Sequence, residues 1–198
     1  MRTDTIVKKP TNFDWTEVPV ISIDNHLQEE SVDISATAQI CYDEQALYLR
    51  LAAKEKNIRA EYTGLLDQPC QDSCLEFFFS PIEGDSRYFN IEFNPNHCVY
   101  LGIGSGVNDL VRLIPQDDVL SPQANRTSDG WEITYQVPVS FIRRFFPEFT
   151  PESEKTIRAN FYKCGDYTET PHYLCWNLIT GEKISFHRPC DFGLLTFE

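Results

Sequence analysis

Cys74-Leu75-Glu76-Phe77-Phe78-Phe79-Ser80 and Tyr88-Phe89-Asn90-Ile91-Glu92-Phe93-Asn94 decide the fold. In both stretches a large apolar residue recurs at every second position: Leu75, Phe77 and Phe79, then Phe89, Ile91 and Phe93. Alternate residues of a strand share a face, so each stretch reads as a strand with one face in a core. Ser80-Pro81 ends the first run and Asn94-Pro95-Asn96 ends the second, both with turn chemistry. The same period continues outward. Leu47, Leu49 and Leu51 carry it on the N-terminal side; Trp131, Ile133, Tyr135 and Val137, then Ile157, Ala159 and Phe161, carry it on the C-terminal side. Helical periodicity is nearly absent. Ser140-Phe141-Ile142-Arg143-Arg144-Phe145-Phe146 fits one short helix, with Ser140 as its N-cap and Pro147 as its stop. Residues 115–127 and 147–155 read as long loops. The pattern predicts an all-β protein, an antiparallel β-sandwich of jelly-roll or immunoglobulin-like type, as a single domain over residues 1–198.

Composition narrows the function. The 198 residues are 41% hydrophobic and 24% charged, ordinary for a globular chain. Thirty acidic residues against 17 basic give a net charge of −13. That repels phosphate backbones and anionic lipid, so neither nucleic acid nor a membrane surface is an expected partner. The N-terminal stretch Met1-Arg2-Thr3-Asp4-Thr5-Ile6 has no apolar signal core. The seven cysteines are odd in number and scattered. A reduced, cytoplasmic protein is the expectation. No Cys-x-x-Cys occurs, and the pairs Cys70/Cys74 and His172/Cys175 are weak zinc signals, so no metal site is assigned. Asp109, Asp117, Asp118 and Asp166 lie in or near loops and leave calcium possible, without the spacing of a known calcium loop. No cofactor is required by any motif, and the oligomeric state is not readable.

The strand face opposite the core residues carries the chemistry. It presents Glu76, then Asn90, Glu92 and Asn94, then Arg158 and Asn160. Carboxylates, amides and a guanidinium are directional hydrogen-bonding groups that suit vicinal hydroxyls. The same residues also fit a solvated outer face with incidental pairs such as Glu76 or Glu92 with Arg158. Glu76 and Glu92 on adjacent strands would stand about 5 Å apart, near the spacing of a retaining glycosidase pair. A nearby Arg158 would hold both ionised and favour binding over proton donation. Trp176, beside Asn177, either offers a flat face to a sugar ring or closes one end of the sandwich.

Ordered motifs add a resemblance. Asp72-Ser73-Cys74-Leu75-Glu76-Phe77-Phe78, Tyr88–Asn94, Arg158-Ala159-Asn160-Phe161-Tyr162-Lys163-Cys164-Gly165-Asp166, Trp176-Asn177, Phe186-His187-Arg188-Pro189 and Phe192-Gly193 are similar to the carbohydrate-binding family 9-like modules. These are relatives of xylanase-associated sugar-binding modules and of the wider DOMON group. The resemblance spans Val32 to Glu198. It implies a DOMON-type β-sandwich that binds a saccharide or the end of a polysaccharide chain such as xylan, without catalysis. By resemblance Trp176 is one aromatic of a sugar clamp and Glu76 its acidic partner. Asn177, Asn160 and Lys163 supply further polar contacts by position. The other clamp aromatic is expected where this chain reads Asp67-Gln68-Pro69-Cys70-Gln71, which holds no Trp; Tyr62 is the nearest substitute. The ligand-binding set is therefore Trp176, Glu76, Asn90, Glu92, Arg158, Asn160, Lys163 and Asn177, with no catalytic residue. The alternative is a small glycoside-processing enzyme using Glu76 and Glu92.

Overall fold

A computed structural model describes residues 1–28, 33–114 and 118–198. Among these residues the strands are, in chain order, β1 (Thr3–Lys8), β2 (Ile21–Ile23), β3 (Asn25–His26), β4 (Ser35–Tyr42), β5 (Ala46–Lys54), β6 (Cys74–Ser80) and β7 (Tyr88–Phe93). They continue with β8 (Val99–Gly104), β9 (Val111–Arg112), β10 (Gln123–Arg126) and β11 (Gly130–Pro138). After the helical turn α1 (Val139–Ile142) come β12 (Thr156–Gly165), β13 (His172–Cys175) and β14 (Gly193–Phe197). No helix among the described residues is long and apolar enough to cross a membrane.

The strands form two antiparallel arrays. One runs β10-β11-β5-β4, with β2 along β4. The other runs β9-β8-β7-β6-β12, with β14 and β13 end to end along the far edge of β12. β1 joins them. Thr3–Ile6 pair in parallel with β14, and Val7–Lys8 pair in parallel with β4. The facing apolar sets close one core between the arrays, as when Phe93 of β7 meets Tyr135 of β11 with ring centroids 4.9 Å apart. At one end Phe89 packs on Phe141, Phe145 and Phe146, so the segment around α1 plugs the sandwich.

Two local expectations need correction. The helical turn is Val139–Ile142 and stops short of Phe146: Pro138, not Ser140, occupies the cap position, and the Val139 N–H donates to the Gln45 carbonyl. Within 115–127, Gln123–Arg126 forms β10, an edge strand whose polar residues pair with β11. Its pairing comes from the neighbour and not from alternation, which is why a polar stretch gives no sign of it.

The burial patterns of the two arrays differ. β5 and β11 alternate between buried and half-exposed, as a sheet with one wet face should. β6 and β7 are buried at every position. Their outer face is covered by the segment 176–192, which lays Phe186 and Phe192 on Phe78, Tyr88 and Tyr162. Tyr162 and Phe186 stack at 4.1 Å. The polar face, read from the sequence as a ligand-binding or solvated face, is therefore largely covered, and a second, smaller apolar cluster lies on it.

Lys163 shows how strict the alternation is. It follows Ile157, Ala159 and Phe161 on the inner face of β12 and is 0% exposed. Its ammonium lies 3.2 Å from Glu55 Oε2 and donates to the Cys164 carbonyl and to His172 Nε2. Ser73 Oγ and Trp131 Nε1 also donate to Glu55. Burial, then the Lys163 charge, pushes His172 down to about 4, so the ring is neutral, with Nδ1 donating to the Thr170 carbonyl. Removing one member of a buried ion pair strands the other charge. Lys163→Met is expected to lower folding stability by about 3–5 kcal/mol, and the double variant Glu55→Gln/Lys163→Met to recover much of that loss, both read by urea denaturation.

Candidate functional site

β6, β7 and β12 lie side by side in register, and their outward residues form rows across the sheet. One row runs Glu92, Glu76, Tyr162 and Cys175. The row beside it brings Cys74 opposite Cys164 and Cys164 opposite Tyr173. These two rows floor a pocket of about 240 Å³. Cys70, Glu76, Glu92 and Cys164 line its base, Asp166 and Tyr173 its side, and residues 184–187 its rim. The rim is braced by the Tyr88 hydroxyl, 2.8 Å from His187 Nδ1.

Burial dominates the electrostatics. Glu76 is 2% exposed, and its one close side-chain partner is the Cys164 thiol, which donates to Oε1 at 3.0 Å. Desolvation, reinforced by the Glu92 charge, holds its carboxyl well above the usual range. Glu92 is 6% exposed and pushed up to about 7, again by burial, with Asn90 and the Arg112 guanidinium tempering the rise. Asp166 is also raised by burial. Glu92 Oε2 and both amide atoms of Asn90 are buried without a hydrogen-bond partner of good geometry. Buried polar atoms are normally satisfied, and these three lie on neighbouring outward positions of β7, with Glu92 on the pocket lining. A larger cleft of about 670 Å³, among Lys8, Lys9, Asp43 and Arg143, has no such orphaned atom on its described residues.

The structure separates the predicted residues. Glu76 and Glu92 meet at the pocket, and Asn90 lies one outward position along β7 from Glu92. Arg158 does not join them. It stands opposite Ser80, two outward positions from the residue facing Glu76, and its guanidinium holds the Cys190 and Phe192 carbonyls. It therefore does not keep the carboxyls ionised, and burial makes them reluctant acids instead. Asn160 and Asn177 are structural. Asn160 Nδ2 donates to the Asn177 carbonyl, and its Oδ1 accepts from the Asn177 N–H. Asn177 in turn receives the Arg2 N–H and donates to the Asp191 carbonyl. Lys163 lies on the opposite face of the sheet, in the ion pair with Glu55.

Trp176 is the largest correction. It is 2% exposed and packs in the main core against Phe161, so it offers no platform to a ligand. A Cβ on Gly193 would sit 2.6 Å from its ring, so only glycine leaves room for it there. The aromatic rings that line the pocket are Tyr173 and Phe186. Alternation along β13 carries the distinction, since Trp176 shares the parity of the core residue Leu174 while Tyr173 takes the other face. Parity also marks Cys164 as a pocket residue, two along from Tyr162. Tyr62 does not line the pocket; its N–H donates to Asp72. Asp109 accepts from the Ser105 and Gly106 N–H groups, and Asp118 from the Ser121 N–H, as turn-forming residues. Asp117, like Val32, lies outside the described residues.

Comparison with known proteins places this geometry. The solved structures it resembles include a protein from Bacteroides uniformis provisionally assigned to carbohydrate binding, at 27% identity and a TM-score of 0.83, covering 100% of this chain and 99% of that one. A family 9 carbohydrate-binding module from Caldicellulosiruptor kristjanssonii is similar in fold at 12% identity and a TM-score of 0.70. Its complex with cellotriose is covered over 94% of its length and its complex with glucose over 96%, each against 100% of this chain. No curated protein matches the chain significantly. The sequence profile of carbohydrate-binding family 9 matches residues 8–197, nearly the whole length, and the chain belongs to that family.

Proposed function

We propose that the protein binds carbohydrate without transforming it, and that the pocket between β6, β7, β12 and residues 184–187 takes the sugar. The observation that carries this reading is the group of orphaned, buried acceptors and donors, Glu92 Oε2 and the Asn90 amide, beside a pocket in a family 9 fold. Hydroxyl groups both donate and accept, so a sugar can satisfy a carboxyl and an amide together. Tyr173 supplies a flat apolar wall, as aromatic rings do at sites that hold one apolar face and one polar edge. Phe186, on the rim, adds a second ring. At about 240 Å³ the pocket is smaller than sites for drug-sized ligands, which start at about 300 Å³. One sugar residue or a chain end suits it better than the middle of a polymer. Gluco- and xylo-configured oligosaccharides are the first ligands to test, since one module of the same fold is solved in complex with glucose and with cellotriose.

A glycosidase reading keeps one favourable observation. The two carboxyls face each other in register, and burial raises both, so one can stay protonated beside the other, as such catalysis requires. Turnover of aryl glycosides that Glu76→Gln removes would establish it; the binding reading predicts none.

For binding, titration calorimetry with glucose, cellotriose and xylotriose is expected to give micromolar to millimolar affinity for one of them. Tyr173→Ala should weaken it about tenfold, the loss of an aromatic contact of roughly 1.4 kcal/mol. Glu92→Gln should weaken it by a similar factor, and Arg158→Gln should leave it unchanged. Equal affinity in Tyr173→Ala and Glu92→Gln would move the site elsewhere.

The buried carboxyls also set a pH dependence of stability. Facing Glu92 are Glu76 on β6, Tyr100 on β8, Arg112 on β9, and Cys70 and Asp166 across the pocket. In the folded state Glu92 keeps its proton to about pH 7, whereas an unfolded glutamate releases it near 4.5. The folded state therefore binds more protons between those values, and stability falls as pH rises through them. Glu92→Gln is expected to flatten this decline, which amounts to at most about 1.4 kcal/mol per pH unit. Denaturation midpoints of wild type and variant, measured with chelator present from pH 4.5 to 7.5, check it.

A further inference from the structure

We infer that the floor of the pocket is a binding site for a thiophilic divalent cation of the zinc class, held by Cys74, Glu76 and Cys164. One ligand atom from each lies within 4.8 Å of the other two. Cys74 and Cys164 face each other across β6 and β12, and Glu76 stands one outward position along from Cys74. Ligands around a tetrahedral zinc at 2.3 Å are about 3.8 Å apart, so closing the set needs shifts of only about 1 Å at the ends of side chains. Cys164 Sγ already sits 3.0 Å from Glu76 Oε1.

Three features favour a cation over a merely packed cluster. The three side chains are at least 98% buried, so bulk water does not compete for their ligand atoms. The ammonium closest in sequence, Lys163, is committed to Glu55 on the other face of the sheet. Beside the cluster, Glu92 Oε2 is buried, unpartnered and on the same pocket wall, which adds an oxygen donor or a hydrogen-bond acceptor for a metal-bound water. Two sulfurs exclude calcium and magnesium, which take oxygen donors, and select a borderline or soft ion. Cys164 and Glu76 both line the cavity, so three protein ligands leave a fourth position open to the pocket. Binding requires two thiolates and a carboxylate, so the ion displaces both thiol protons and the Glu76 proton to solvent and forms two metal–sulfur bonds and one metal–oxygen bond.

The inference does not depend on the saccharide reading, because its test contains no sugar. Chelator-stripped, reduced full-length protein is titrated with Co²⁺ without oxygen. The expected result is one equivalent bound, with a thiolate-to-cobalt charge-transfer band and the visible bands of tetrahedral cobalt, displaced by Zn²⁺ and unaffected by millimolar Ca²⁺. Cys74→Ala, Cys164→Ala and Glu76→Gln should each weaken binding at least tenfold, while Cys190→Ser, on an exposed thiol, should not. Absence of the charge-transfer band, or a band that survives both Cys74→Ala and Cys164→Ala, overturns the inference. Should those variants fail to fold, X-ray absorption of the zinc-loaded wild type decides: two sulfur neighbours support the site and fewer than two overturn it.

Discussion

The clasp between Asn160 and Asn177 is the constraint on which the rest of the outer face depends. Asn160 lies in the middle of β12, and its amide satisfies both the N–H and the carbonyl of Asn177. Asn177 then reaches the Arg2 N–H and the Asp191 carbonyl, so four segments of chain meet at two side chains. The chain leaving β13 is thereby turned back over β12 and β6 before it enters β14. Buried amides with every bond made define one geometry and tolerate few alternatives. Phe186 and Phe192 arrive on Phe78, Tyr88 and Tyr162 because the clasp sends them there.

The chemistry of the pocket follows from that cover. An open sheet face would leave Glu76 and Glu92 as ordinary hydrated carboxylates. Under residues 176–192 they lose water and gain little charge compensation, so both hold protons more tightly than exposed glutamates do. The same cover leaves a cavity where the segment does not fill the space above Glu76, Cys164 and Tyr173. The protein spends a polar row and two thiols on that cavity, although apolar residues would pack the same sheet with less cost. The cost of that choice is the physical ground for the proposed site, in a chain of a family named for carbohydrate binding.

Much of the fold was legible in the sequence. Every segment with period-two alternation is a strand, and the apolar sets point into one core. The polar strand β10 was not legible, since its structure comes from pairing with β11. Glu76 and Glu92 were legible as a facing pair because outward parity on two adjacent strands defines one row. Parity, applied as strictly to β12 and β13, also separates Lys163 and Trp176 from the site and nominates Cys164 and Tyr173. Resemblance to a clamp residue drew attention to Trp176, whereas the alternation of Leu174 and Trp176 puts it in the core. Asn160 and Arg158 lie on the right face, but their partners are backbone groups of a segment 17 to 34 residues away in sequence. No local pattern reports such partners.

The sequence by itself determined the strands that alternate, their core faces and the family, because alternation and motif order are properties of short stretches of chain. Tertiary structure alone decided that both faces of β6, β7 and β12 are buried, that the carboxyls are proton-retaining, and that Cys164 meets Glu76 across 88 residues of sequence. The reason is physical. Side-chain periodicity says which residues share a face, but what covers that face depends on a distant segment whose path is set by hydrogen bonds at Asn160 and Asn177. Desolvation, and with it the chemistry of the pocket, exists only once that segment is in place.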